Sequence, residues 1–302
     1  MTQPERVNSQ AGGAATDGST IHDLGYRRYA GPRVGTSGAW SALYRQSVRA
    51  MFGLGRPAKA KAVPVLVIVV TMLPALGTLV AASASNGQVP IRYGQIIGAQ
   101  LLLFVLFVAA QVPEVLSRDQ QHQLLPLLFT RDVTRVSYAT ARFAAIASAI
   151  FCVASAPLIL LYVGEIGIAK DPSAAFVTMG NRIWPVLAQS ILTALAMSGI
   201  GAALAAWTPR RAYATAAIFG TFLLLAAIAA GLDDLAGVSR RTAELLDPIR
   251  AMQTMAMILF GETNRGMELN PPPPIGVYVA LTLGLGVAGL SLLTWRMRRI
   301  RA

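Results

Sequence analysis

Ala62 to Ala82 reads AVPVLVIVVTMLPALGTLVAA, an apolar run without a single charge. A hydrocarbon core of about 30 Å takes roughly 20 helical residues to cross. No water is available there to satisfy backbone amides, so a continuous apolar helix is the simplest solution. Five further stretches have the same character: Tyr93–Val112, Tyr138–Val163, Ile183–Trp207, Ala212–Gly231 and Ile275–Trp295. The reading is an all-α membrane protein, a bundle of six transmembrane helices.

The bulk numbers agree. With 54% hydrophobic and 13% charged residues and a mean hydropathy of +0.54, the chain is too apolar for an ordinary soluble domain. A net charge of +12 would by itself suggest nucleic acid, but its distribution argues otherwise. With the N-terminus placed in the cytoplasm, nineteen Lys and Arg residues fall inside. They lie in the tail up to Lys61, in the loop and helix start from Arg118 to Arg142, at Arg210 and Arg211, and after Trp295. Seven fall outside: Arg92, Lys170, Arg182, Arg240, Arg241, Arg250 and Arg265. This bias predicts both termini in the cytoplasm, in the cell (plasma) membrane. Anionic lipid on that leaflet accounts for the positive charge without nucleic acid.

Trp184, Tyr93, Tyr162 and Tyr278 fall near the expected outer ends of spans, and Trp207, Tyr213 and Trp295 near the inner ends. Such belts mark both interfaces. The single cysteine, Cys152, lies mid-span, so no disulfide framework is expected. The polar start shows no signal-peptide pattern, which leaves the first span as its own insertion signal.

The chain divides into a cytoplasmic N-terminal tail (1–37), an interfacial helix with a basic linker (38–61) and a six-span transmembrane domain (62–302). Within the tail, Ile21–Gly35 (IHDLGYRRYAGPRVG) mixes tyrosines with arginines and reads either as a tail touching headgroups or as a strap on a partner. Gly38–Phe52 reads GAWSALYRQSVRAMF. Trp40, Leu43, Tyr44, Val48, Met51 and Phe52 share one helical face, and Ser41, Arg45, Gln46 and Arg49 the other. That pattern suits a helix lying in the membrane interface.

Two loops stand out. After the second span, Leu124, Leu125, Leu127, Leu128 and Phe129 form an apolar knob too short to cross a membrane. Flanked by Glu114, Arg118, Asp119, His122, Arg131 and Asp132, it needs something to bury it. Pro126 is expected to keep it from extending one long helix. Before the last span, the outer loop 232–274 carries helical spacing over Thr242–Phe260, followed by the stiff run Pro271–Pro274.

Chemical motifs are scarce. Gly53–Lys61 lacks the Walker A spacing that cradles phosphates, and there is no nucleophile elbow or H-E-x-x-H. Glu114 and Arg118 give E-x-x-x-R, weakly similar to prenyl-endopeptidase-type intramembrane proteases. The histidines such an enzyme needs reduce here to His22 and His122, neither inside a span. Met252, Met255, Met257 and Met267 read as adaptable apolar packing ahead of a soft-metal site. Arg142 sits one turn inside the third span and Arg182 at the lip of the fourth. The otherwise uncharged span interiors argue against a proton- or sodium-driven transporter. Small residues at Ala194, Ser198, Ala202 and Ala206, and at Gly284 and Ala288, predict close helix approach. No catalytic, cofactor-binding or metal-binding residue is expected.

The order of parts resembles a permease subunit of the ABC-2 type exporters. Three segments carry the resemblance: Ile21–Arg33, Leu43–Lys61, and Pro113–Ala145, which is similar to the family run P-E-x-x-x-R-D … L-P-L-x-x-[ST]-R-x-x-x-R-x-x-Y. It departs from the family at Gln123, Leu124 and Asp132. The resemblance implies that the loop 113–137 is a coupling helix docking into a cytoplasmic ABC ATPase subunit, through Glu114, Arg118, Asp119, Leu124, Leu125, Leu128, Phe129 and Arg131. It implies an elbow helix carrying Trp40, Leu43, Val48, Met51 and Phe52, and pairing of two permeases as homodimer or heterodimer. ATP and Mg would be bound by the partner ATPase. A non-transporting membrane scaffold and a secondary transporter are the alternatives, discriminated by co-purification with an ATPase.

Overall fold

A computed structural model describes residues 35–85, 92–130, 133–235, 240–263, 267 and 271–299. The chain divides into Met1–Arg33 and Val34–Ala302, and the described residues belong to the second. The Ile21–Arg33 segment, Arg131 and Asp132 therefore lie outside them.

Among the described residues all regular structure is helical. Helix α1 (Thr36–Met51) precedes α2 (Ala58–Ala84) and α3 (Tyr93–Val115). Two short helices follow, α4 (Ser117–Gln121) and α5 (Leu124–Phe129), then the long α6 (Arg135–Ile168). Next come α7 (Pro172–Met179), α8 (Ile183–Trp207), α9 (Arg211–Leu235), α10 (Arg240–Ala243), α11 (Pro248–Leu259) and α12 (Ile275–Arg299). Among the described residues six helical segments are long and apolar enough to cross a membrane: Ala60–Ala84, Tyr93–Gln121, Arg135–Ile168, Pro172–Trp207, Arg211–Leu232 and Ile275–Arg299. This fits a multi-pass membrane protein.

Helix starts follow local chemistry. The Thr134 hydroxyl accepts from Ser137 N at 3.0 Å to open α6. Asp171 and Asp247 cap α7 and α11 from the residue before an N1 proline, the position where a missing N–H costs nothing. The Asp247–Pro248 step also divides the expected Thr242–Phe260 helix, so α11 begins afresh and tucks Met252 and Met255 into the core. These methionines pack as apolar filling; Gln189 Nε2 on α8 donates to Met252 O at 3.2 Å.

The second, third and fourth spans are the interior. In their most apolar windows 67%, 56% and 72% of residues are buried, against 22%, 17% and 22% in the first, fifth and sixth. The outer three expose Leu66, Leu73, Leu223, Leu224 and Val287, an apolar periphery suited to lipid. Helices α8 and α12 meet backbone to backbone. A Cβ on Gly199 would strike the Leu285 carbonyl, and one on Gly289 would strike Gly199. The close approach expected of Gly284 and Ala288 thus belongs to Gly286 and Gly289 instead, while Gly284 and Ala288 face outward. Both readings have small-residue spacing, and only the helix's rotation decides between them.

Candidate coupling site

Helix α3 carries the chain to Val115, and α4 continues almost directly from it. The break comes at Gln123, whose φ of 52° is left-handed and re-aims α5. Pro126 is not the breaker. It sits in the first turn of α5, where its lacking N–H leaves no bond unmade.

The turn presents α4 to two ionic clusters. In the first, Arg142 on α6 donates from Nη2 to Asp119 Oδ2 at 2.5 Å and from Nη1 to Ser47 Oγ at 2.7 Å. The Tyr138 hydroxyl donates to the same Asp119 oxygen at 2.7 Å. The Arg142 guanidinium also lies 5.2 Å from the Tyr138 ring centre. Arg142 is 4% exposed and Asp119 9%, so this is a buried charge pair. Removing one member of such a pair strands the other in a medium that cannot solvate it. One guanidinium therefore locks α1, α4 and α6 together.

In the second cluster, Glu114 at the end of α3 accepts three arginines. Arg56, from the linker, reaches Oε2 at 2.5 Å; Arg118 reaches it at 3.5 Å; Arg211, the first residue of α9, pairs with Oε1. Arg118 is half exposed and the most distant of the three. Gln120 Nε2 and Ser117 Oγ add contacts at 3.4 Å to the Ala205 carbonyl near the end of α8.

Helix α5 is less confined. Leu124 and Leu127 are exposed, while Leu125 is buried within the chain itself. The knob is thus divided, with Leu125 packed inward at the wall of a groove beside α5. Leu128 and Phe129 pack partly on the core. Phe129 meets Tyr138 edge-on at 5.9 Å, with the Arg135 guanidinium 5.4 Å from its ring centre. The groove beside α5, of about 840 Å³, is also lined by Gln123, Leu127, Pro209 and Arg296 among others.

Helix α1 docks along α6. Leu43 and Met51 are buried, Trp40, Val48 and Phe52 half-buried. Trp40 Nε1 donates to Thr140 Oγ1 at 3.2 Å and the Tyr44 hydroxyl to Ser148 Oγ at 2.9 Å. Trp40 stacks on Tyr44, and Phe52 packs on Phe107 of α3. The centre of the buried face is Ser47, which is fully buried.

Of the residues singled out from sequence, Glu114, Arg118 and Asp119 join clusters, and Trp40, Leu43, Met51 and Phe52 face the bundle; Val48, expected with them, is half-buried and lines a recess together with Arg45 and Arg49. Arg131 lies outside the described residues. Sequence reasoning missed Ser47, Arg56, Tyr138 and Arg211 as members, and read Arg142 only as a charge inside a span. A lone arginine one turn inside an apolar run was the available signal. Among the described residues no group of three or more His, Cys, Asp or Glu is placed to hold a metal ion. No family model matches this chain, and no curated protein matches it.

Proposed function

We propose that the chain is the permease subunit of an ATP-binding-cassette exporter of the ABC-2 type, seated in the plasma membrane with both termini cytoplasmic. It pairs with a second permease and takes its energy from separate cytoplasmic ATPase subunits. The observation that carries this reading is the α4–α5 arrangement. A short helix turns two leucines outward while its neighbour is fastened through Asp119 and Arg142 to α6 and α1. A push on α5 would reach the spans through the buried Asp119–Arg142 pair, with little slack to absorb it.

The test uses the tagged full-length chain, purified from its native membrane at equal expression. Leu124→Asp and Leu127→Asp alter exposed positions, so insertion is expected to persist while a co-purifying ATP-hydrolysing subunit is lost. Glu114→Ala is expected to keep that subunit and weaken the link between hydrolysis and transport. Undiminished ATPase recovery with both leucine variants would overturn the docking role of α5. Absence of any ATPase from the parent preparation would favour the scaffold alternative.

A further inference from the structure

The polar side of α1 has a use that docking on α6 leaves open. Arg45 and Arg49 lie one helical turn apart on its exposed face. The chain then turns at Gly53 and Gly55, with φ of 65° and 80°. At Gly53 a Cβ would also come within 2.6 Å of the Ala60 carbonyl oxygen, so only glycine fits. The turn leaves Arg49 and Arg56 on the walls of one open recess of about 710 Å³. Its walls combine Arg45, Arg49 and Arg56 with Val48, Ala50 and Leu54.

The charges here are unbalanced. Arg56 is held by Glu114, which also serves Arg118 and Arg211. Among the described residues Arg45 reaches only the Ser41 carbonyl of its own helix, at 3.3 Å, and Arg49 joins no ion pair. Guanidiniums bind phosphate through parallel N–H donors, and two spaced by one turn can share one phosphate. Apolar walls beside the arginines suit the glycerol and first methylenes of a lipid. We propose that this recess binds the headgroup of an anionic phospholipid, with Arg45 and Arg49 on its phosphate and Arg56 closing the site. The inference rests on the membrane reading of the chain and does not depend on transport. Charge complementarity at an interfacial helix favours lipid over an acidic protein.

The full-length protein, delipidated in neutral detergent, is titrated with phosphatidylglycerol, phosphatidylcholine and glycerol 3-phosphate, and bound species are counted by native mass spectrometry. Phosphatidylglycerol is expected to bind about tenfold more tightly than phosphatidylcholine, and R45A/R49A to lose about tenfold of that affinity. R298A, an exposed arginine at the end of α12, should leave it unchanged. Alanine favours helix, so lipid-free stability of the double variant should match the parent; R45K/R49K, which keeps the charge, should retain part of the affinity. Equal phosphatidylglycerol binding by parent and R45A/R49A overturns the proposal, as does equal affinity for phosphatidylcholine. Comparable binding of glycerol 3-phosphate would assign the site to free phosphates and overturn the lipid. Loss of a co-purifying acidic protein from R45A/R49A, with lipid binding intact, would assign the recess to that protein. Because no ATPase takes part, either result leaves the coupling test above independent.

Discussion

The same trio of groups, a tyrosine, an arginine and a carboxylate, meets near each end of helix α6, in different surroundings. Near its start Tyr138 and Arg142 converge on Asp119; near its end Tyr93 donates to Glu165 at 2.8 Å and Arg182 pairs with it at 2.6 Å. The two carboxylates are similarly covered, at 13% and 15% side-chain exposure. The arginines are not: Arg142 is 4% exposed and Arg182 47%. Arg142 also has Ser47 as a third partner from another helix. Identical chemistry therefore makes a rigid joint at one end and a loosely held tie at the other. Water competes for Arg182 at every moment and for Arg142 hardly at all.

The largest expected effect tests that contrast directly. Arg142→Ala strands Asp119 and is expected to cost about 3–5 kcal/mol of stability. Arg182→Ala removes a half-exposed partner and is expected to cost no more than about 1 kcal/mol after solvent screening. Unfolding of the purified protein in detergent, followed by helical signal against denaturant, measures both. Equal losses would break the comparison.

Next in size is Ser47→Ala. It removes an acceptor from a buried guanidinium, a hydrogen bond of the charged kind worth about 1.5–3 kcal/mol. Combined with Arg142→Ala the losses should fall well short of additive, since both act on one network. Additive losses would show that Ser47 and Arg142 act independently and that Arg142 does not bind the three helices together.

This contrast also marks where sequence stops informing. Six spans were readable because length and the absence of charge are local properties of a run. The apolar face of α1 was readable from its period, yet its centre, Ser47, reads as polar and is buried only because Arg142 stands opposite. The partners in that cluster lie 95 and 23 residues apart along the chain. No spacing rule joins them; packing of α1 and α4 on α6 does. Pro126 was a plausible breaker by type, but a proline in a first turn breaks nothing, and the left-handed Gln123 carried no compositional signal. Gly286 and Gly289 were hidden for a related reason. α12 is rich in small residues on several faces, and only its mate, α8, selects one.

The smallest effect concerns the far end alone, where Glu262 accepts from Gly94 N at 3.0 Å at the start of α3. Burial pushes its carboxyl above the usual carboxylate range; the Gly94 N–H and the charge of Arg92 pull it back only in part. An acid whose folded pKa is raised takes up its proton more readily in the folded chain than in the unfolded one. Its stabilising contribution is complete below the ordinary glutamate value, about 4.3, and is lost as pH climbs through the raised folded value. Glu262→Gln keeps an acceptor for the Gly94 amide and removes the charge. It is expected to flatten the fall in stability just above that pH and to leave the protein at least as stable as the parent at pH 7. Melting temperatures taken between pH 4 and pH 7 decide it. A variant less stable at pH 7, with the parent's slope intact, would mean that the positive end of α3 outweighs burial and holds Glu262 as a carboxylate. The far end would then owe its hold on α3 to charge, as the α4 end does, and the exposure of Arg182 and the Ser47 contact of Arg142 would still set the two ends apart.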